Sequence, residues 1–183
     1  MAGMILFMTV SSRAQQEVHL GIKAGLDAAN ITNFDGDSRI SGQFGFFLNA
    51  KLTHNWRIQP ELLFSGEGQR YMDAGDEYTL ALNYIQIPVM FQYYPVHGFY
   101  LEFGPQLGIL ASARDKGPDG YNHDVTGDYN RTEARLNLGM GVQATPQFGF
   151  YARYGIGLSD ITSGDNYTYA NRVFQFGVTA RLQ

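Results

Sequence analysis

From Glu17 to the end of the chain, apolar and polar residues alternate with a period of two, in eight segments that each close on a turn or loop. The first carries Val18, Leu20, Ile22, Ala24 and Leu26 on one face, and the second Phe44, Phe46, Leu48, Ala50 and Leu52. The third runs from Trp56 through Ile58, Pro60, Leu62 and Phe64. The fourth has Ile85, Ile87, Val89, Phe91 and Tyr93, and the fifth continues from Phe99 to Ala111. The sixth runs from Ala134 through Leu138 to Ala144, the seventh from Phe148 to Leu158, and the eighth from Phe174 to Leu182. A period of two is the signature of strands with two unlike faces.

The connections alternate in length. Thr53 to Asn55, Tyr94 to Gly98 and Thr145 to Gln147 are tight, whereas residues 27–40, 68–79, 114–132 and 160–170 are long, polar and rich in Gly, Asp and Asn. Short turns at one rim and long loops at the other are the asymmetry of an outer-membrane barrel, with both termini on the short-turn, periplasmic side. The pattern predicts an all-β protein: an eight-stranded antiparallel up-and-down transmembrane β-barrel with four long extracellular loops.

An up-and-down barrel can also be a soluble cup, so the faces decide the class. The apolar set is too bulky for the interior of eight strands; Phe44, Phe46, Phe64, Phe91, Phe103, Phe150 and Phe176 must face lipid. The opposite set mixes glycines with long polar residues, as a narrow lumen requires. Lys23, Glu61, Glu102 and Arg153 fall at similar depth on four strands, and Arg135 is a further inward cation. Charges enclosed there need partners. The expectation is therefore a structural ion-pair network of Lys23, Glu61, Glu102, Arg135 and Arg153 that plugs the lumen. Gln86, Gln106 and Tyr100 are expected as its hydrogen-bond partners.

Two features strain the simple pattern and a third agrees with it. Pro60, Pro88 and Pro105 fall inside strands, where each removes a ladder donor. The fourth segment changes phase between Leu80-Leu82 and Ile85-Ile87, which suggests a bulge near Asn83–Tyr84. Trp56, Tyr94, Phe99 and Phe148 sit near the short turns and fit a periplasmic aromatic girdle.

Composition narrows function by exclusion. The net charge is -4, with no basic run, so nucleic acid is not an expected partner. Without cysteine there are no disulfides, thiolate metal sites or thiol nucleophiles. Residues 4–10 form a short apolar run followed by Ser12 and Ala14 at cleavage spacing; residues 1–14 are expected to be a signal peptide and 15–183 the barrel domain. No cofactor, metal or catalytic residue is expected. His123 stands alone on the loop side, and Asp115, Asp119, Asp124 and Asp128 lack the spacing of a calcium loop.

Five stretches carry a family resemblance: residues 21–26 (Gly-Ile-Lys-Ala-Gly-Leu), 59–65 (Gln-Pro-Glu-Leu-Leu-Phe-Ser), 82–89, 104–108 and 171–177. In these the chain resembles the PorT-like outer-membrane β-barrel family common in Bacteroidota. The resemblance implies location in the outer membrane of a Gram-negative bacterium, and no catalytic residues. It departs at the end of the chain, Arg181-Leu182-Gln183, where such barrels usually close on an aromatic. The expected partners are outer-membrane lipid and another envelope protein met through the long loops. The expected role is structural or interactive through those loops, with a part accessory to secretion or envelope assembly as its specific form. A small channel or transporter and a lipid-modifying enzyme are the alternatives.

Overall fold

The computed structural model describes residues 17–31, 37–73, 75–159 and 170–182. The expected signal segment and the loop tyrosines Tyr167 and Tyr169 lie outside the described residues. Among the described residues, nine strands form one antiparallel sheet: β1 (Val18–Ile31), β2 (Asp37–Lys51), β3 (Trp56–Asp73), β4 (Asp76–Val96), β5 (Phe99–Lys116), β6 (Asn122–Asp124), β7 (Thr132–Gln143), β8 (Phe148–Gly157) and β9 (Asn171–Arg181). All but the three-residue β6 follow one another around a closed ring, because β9 pairs back onto β1 with Gly21 opposite Arg181. Closure leaves the eight-stranded barrel without an open edge, the condition for backbone to cross hydrocarbon.

The alternation sets the faces. Phe44, Phe46, Leu138 and Phe150 stand outward and exposed, while Asn49, Glu61, Gln92 and Arg153 point inward and are buried. Large inward rings fit because the facing position is glycine. A Cβ on Gly21 would lie 2.1 Å from the Phe47 ring, and one on Gly141 would lie 2.3 Å from that of Tyr100.

The wall is uneven in height. β3, β4 and β5 have 18, 21 and 18 residues, whereas β8 and β9 have 10 and 11. The expected long loop 68–79 is therefore mostly strand. β3 and β4 pair without interruption of register from Leu63–Gln86 up to Asp73–Asp76, a hairpin projecting beyond the lipid band. Polar outward residues marked this stretch as loop, but a strand beyond the bilayer has no need of an apolar face.

Two further expectations change. The β4–β5 register does shift between Asn83 and Tyr84, with Ala111 as the extra residue, so the bulge belongs to β5. β4 itself keeps its phase, and Leu80 and Leu82 are buried inward rather than facing lipid. Tyr94 also turns in, its ring 5.2 Å from that of Tyr100, and Tyr93 takes its place in the girdle at 5.0 Å from Trp56. The prolines form a diagonal across three neighbouring strands, opposite Val89 (Pro60), Gln106 (Pro88) and Leu136 (Pro105). Pairing lapses beside them, between Pro60 and Leu63 on β3 and between Pro88 and Phe91 on β4, as the missing N–H groups require.

Candidate functional site

The inward face of the ring builds the site, and its charges fall in two layers. In the layer nearer the short turns, Lys23 on β1 donates to both oxygens of Glu61 on β3, at 3.2 and 3.1 Å. Arg153 on β8 grips the same carboxylate with two nitrogens, at 3.0 and 2.8 Å, and donates its Nε to Glu102 on β5 at 2.8 Å. Glu102 and Arg153 lie two strands apart in one cross-strand row. They meet over Gly139, the residue between them, where a Cβ would stand 3.1 Å from the Glu102 carboxylate. Gln59 donates to Glu61 at 2.8 Å and Gln92 to Glu102 at 3.1 Å, and Asn49 donates to both glutamines. The Lys23 ammonium also sits 3.8 Å from the centroid of the Tyr151 ring. Two cations and two carboxylates, each almost fully shielded from solvent, thus balance.

Arg135, expected in that same network, is placed in a second layer toward the long-loop side. It pairs with Gln106 and Gly157, four residues before Gly139 on β7. Its guanidinium binds Glu67 through two nitrogens, at 2.8 and 2.6 Å, and Glu133 at 3.0 and 2.6 Å. Gln86 donates to Glu67, and Asn171 donates to Glu133 at 2.8 Å. Asp27, also fully buried, accepts from Ser65. Gln106 binds Asn137 at 2.8 Å and Tyr100 packs with Tyr94 below, so neither hydrogen-bonds the charged groups as expected.

Glu67, Glu133 and Asp27 were absent from the sequence expectation, and the missed signal is plain. Continuing the inward period one step past Ser65, one step back from Arg135, and one step past Gly25 reaches each of them. Above this layer the lumen turns apolar: Ile31, Leu80, Leu82, Tyr84, Leu110 and Ala113 pack together, with Tyr71, Val125 and Tyr129 against them. The β5–β7 connection closes over that cluster. Val125 donates its N–H to the Ala113 carbonyl, and the Thr126 hydroxyl accepts from the Ala113 N–H and donates to its carbonyl. Burial beside Asp115 and Asp128 pushes the Tyr129 hydroxyl up to about 12.

The four loop aspartates do not gather: Asp115 accepts from Tyr71 at 2.8 Å, and Asp124 caps the N–H of Thr126 at 2.9 Å; the Thr126 side chain, with that N–H, holds the Asp124 carboxyl below its ordinary pKa. Among the described residues no group of three or more His, Asp or Glu side chains is arranged to hold a metal.

The model of the outer membrane protein beta-barrel domain matches residues 12–163, most of the chain. The protein belongs to that family. Solved structures of the same fold include neisserial surface protein A, at 12% identity and a TM-score of 0.55, with 90% of this chain and 97% of that one covered. Another is Ail, the attachment invasion locus protein of Yersinia pestis, at 11% identity and a TM-score of 0.53, covering 92% and 100%. At these identities the likeness is one of fold. A search of curated proteins returns no significant match. The chain is an outer-membrane β-barrel protein, and its outward apolar band faces lipid.

Proposed function

We propose that this barrel is a closed membrane anchor that presents its tall extracellular wall to another envelope component, and that it is neither a channel nor an enzyme. The observation that carries the reading is the stack inside the ring. A balanced ion-pair layer, a second layer around Arg135 and an apolar cap follow one another along the axis, each made of buried side chains. Water and solutes would have to part three different kinds of contact to pass. Burying that many charges is worthwhile only where partners are fixed, so the ion pairs would act as structure. Within the family, the motifs at residues 59–65, 82–89 and 171–177 support placing the protein with the PorT-like barrels of Bacteroidota, and hence a role accessory to secretion or envelope assembly.

A catalytic reading gains little from the loop histidine. His123 stacks at 6.3 Å from Tyr121 and lies opposite Asp115, while Ser112 accepts from Asn83 at 3.0 Å. The extracellular hairpin offers interaction surface instead: Tyr71 stacks on Tyr78 at 5.6 Å, and Tyr121 meets Tyr78 edge-on at 5.8 Å with about half of its surface exposed. Planar-bilayer recording on the purified protein tests the closed lumen. No stable conductance steps are expected, and porin-like steps would establish the channel alternative.

A further inference from the structure

Among the described residues, the outward face of the barrel holds no charged strand residue from the short-turn rim up to the cross-strand row Phe64–Ile85–Ile109. On the tall wall, the next positions out are Gly66, Asn83 and Ser112. Beyond them Ala81 lies beside Arg114, and Thr79 is flanked by Arg70 on one strand and Lys116 on the other. Three exposed cations are thus gathered within about 7 Å of strand length, directly above the apolar band. Elsewhere at this rim only Arg172 stands outward on a barrel strand among the described residues.

The acids nearby are differently disposed. Asp73, Asp76 and Glu77 lie farther out at the hairpin tip, and Asp124, opposite Arg114, is engaged by Thr126. Asp37 is the cross-strand neighbour of Arg70, but a short aspartate stays close to the wall. Long Arg and Lys side chains extend away from the wall toward polar headgroups. Among the described residues, no ion pair within 4 Å involves Arg70, Arg114 or Lys116.

We propose that this wall seats the phosphorylated glucosamine headgroup of the outer-leaflet glycolipid, lipid A. Arg70, Arg114 and Lys116 take the phosphate oxygens, and Thr79, Asn83 and Ser112 face the sugar hydroxyls. Depth supports the assignment: the cations begin where the apolar side chains end, which is the level of lipid phosphates. Guanidinium and ammonium groups supply the strong charge-assisted donors that phosphate oxygens accept. Confinement to one wall distinguishes a seat from a general interfacial ring.

Native mass spectrometry of the folded barrel in detergent, titrated with bisphosphorylated lipid A, tests this. Wild type should retain it in preference to the dephosphorylated lipid and to phosphatidylglycerol. Each of Arg70→Gln, Arg114→Gln and Lys116→Gln should weaken retention roughly fivefold, and the triple variant on the order of a hundredfold. Arg172→Gln, on the low wall, should change nothing. Slower migration on heating in SDS gels checks that each variant is folded, and the single variants carry the test if the triple fails to assemble. Equal retention by folded variants and wild type would overturn the proposal. So would equal retention of phosphatidylglycerol, which would mean that charge alone is read.

Discussion

The two charged layers inside the barrel are built from the same residue types and differ in balance. The inner layer sets Lys23 and Arg153 against Glu61 and Glu102, and every charge has an opposite partner within 3.2 Å. The outer layer has one cation, Arg135, for Glu67 and Glu133, with Asp27 buried nearby on Ser65. Charge taken out of water is tolerated when the partner and the remaining hydrogen bonds are both in place. The inner layer meets that condition with side chains from four strands that converge over Gly139. The outer layer relies on a single guanidinium whose bonds to two carboxylates must serve both. Equal burial therefore does not mean equal dependence on each residue.

The sharpest break should come from removing that guanidinium. Arg135→Met keeps much of the volume but leaves Glu67 and Glu133 without a cation. Loss should reach or pass the top of the roughly 3–5 kcal/mol range for stranding buried charge. Folding of the variant into lipid vesicles, followed by urea titration, measures it; a loss under about 1 kcal/mol would show that the outer layer is not held by charge. Glu61→Ala should come next, at roughly 3–5 kcal/mol, because Lys23 and Arg153 would then share Glu102 alone. The same titration reads it, and near-neutrality would mean that the inner pairs are incidental to stability.

How much of this was readable in the sequence depends on which physical signal each residue carries. Inside the lipid band the outward face must be apolar, so alternation is enforced, and Lys23, Glu61, Glu102 and Arg153 stand out as the charges opposite Ile22, Leu62, Leu101 and Ala152. Beyond the band that enforcement stops. Strand pairing continues through Arg70–Thr79 and Leu80–Asp115 without an apolar outward face, and the sequence there reads as loop. Glu67, Glu133 and Asp27 stand at the margin of that zone, each one inward step from a residue the alternation still marks (Ser65, Arg135 and Gly25). Leu80 and Leu82 misled for the complementary reason. Apolar residues in a membrane strand were assigned to lipid, although toward the long-loop side this barrel carries an apolar cluster facing inward. Arg135 was recognised as inward, but its layer was not, since depth across tilted strands depends on a register that sequence spacing does not carry.

The smallest expected effect separates the layers most cleanly. Glu133→Gln removes one negative charge from a layer that has more carboxylates than cations. The hydrogen bonds can survive the exchange: the amide oxygen still accepts from Arg135, whose Nη2 lies 2.6 Å away. The amide nitrogen would face Asn171, whose own Oδ1 accepts no hydrogen bond while its Nδ2 donates to Glu133. A half-turn of the Asn171 amide brings that oxygen into place as acceptor. The variant should stay within about 1 kcal/mol of wild type, on either side. Glu102→Gln is the matching change in the balanced layer. There the new amide nitrogen meets Gln92, whose Nε2 now donates and whose Oε1 is already taken by Asn49 at 2.8 Å. Turning the Gln92 amide would break that bond, and Glu61 would be left to neutralise both Lys23 and Arg153. Destabilisation of about 2–3 kcal/mol is expected, in line with losing a hydrogen bond to a charged group. Equal losses for the two glutamine variants in one urea titration would show that the layers are energetically alike, and that the difference in charge balance does not govern how the lumen is held.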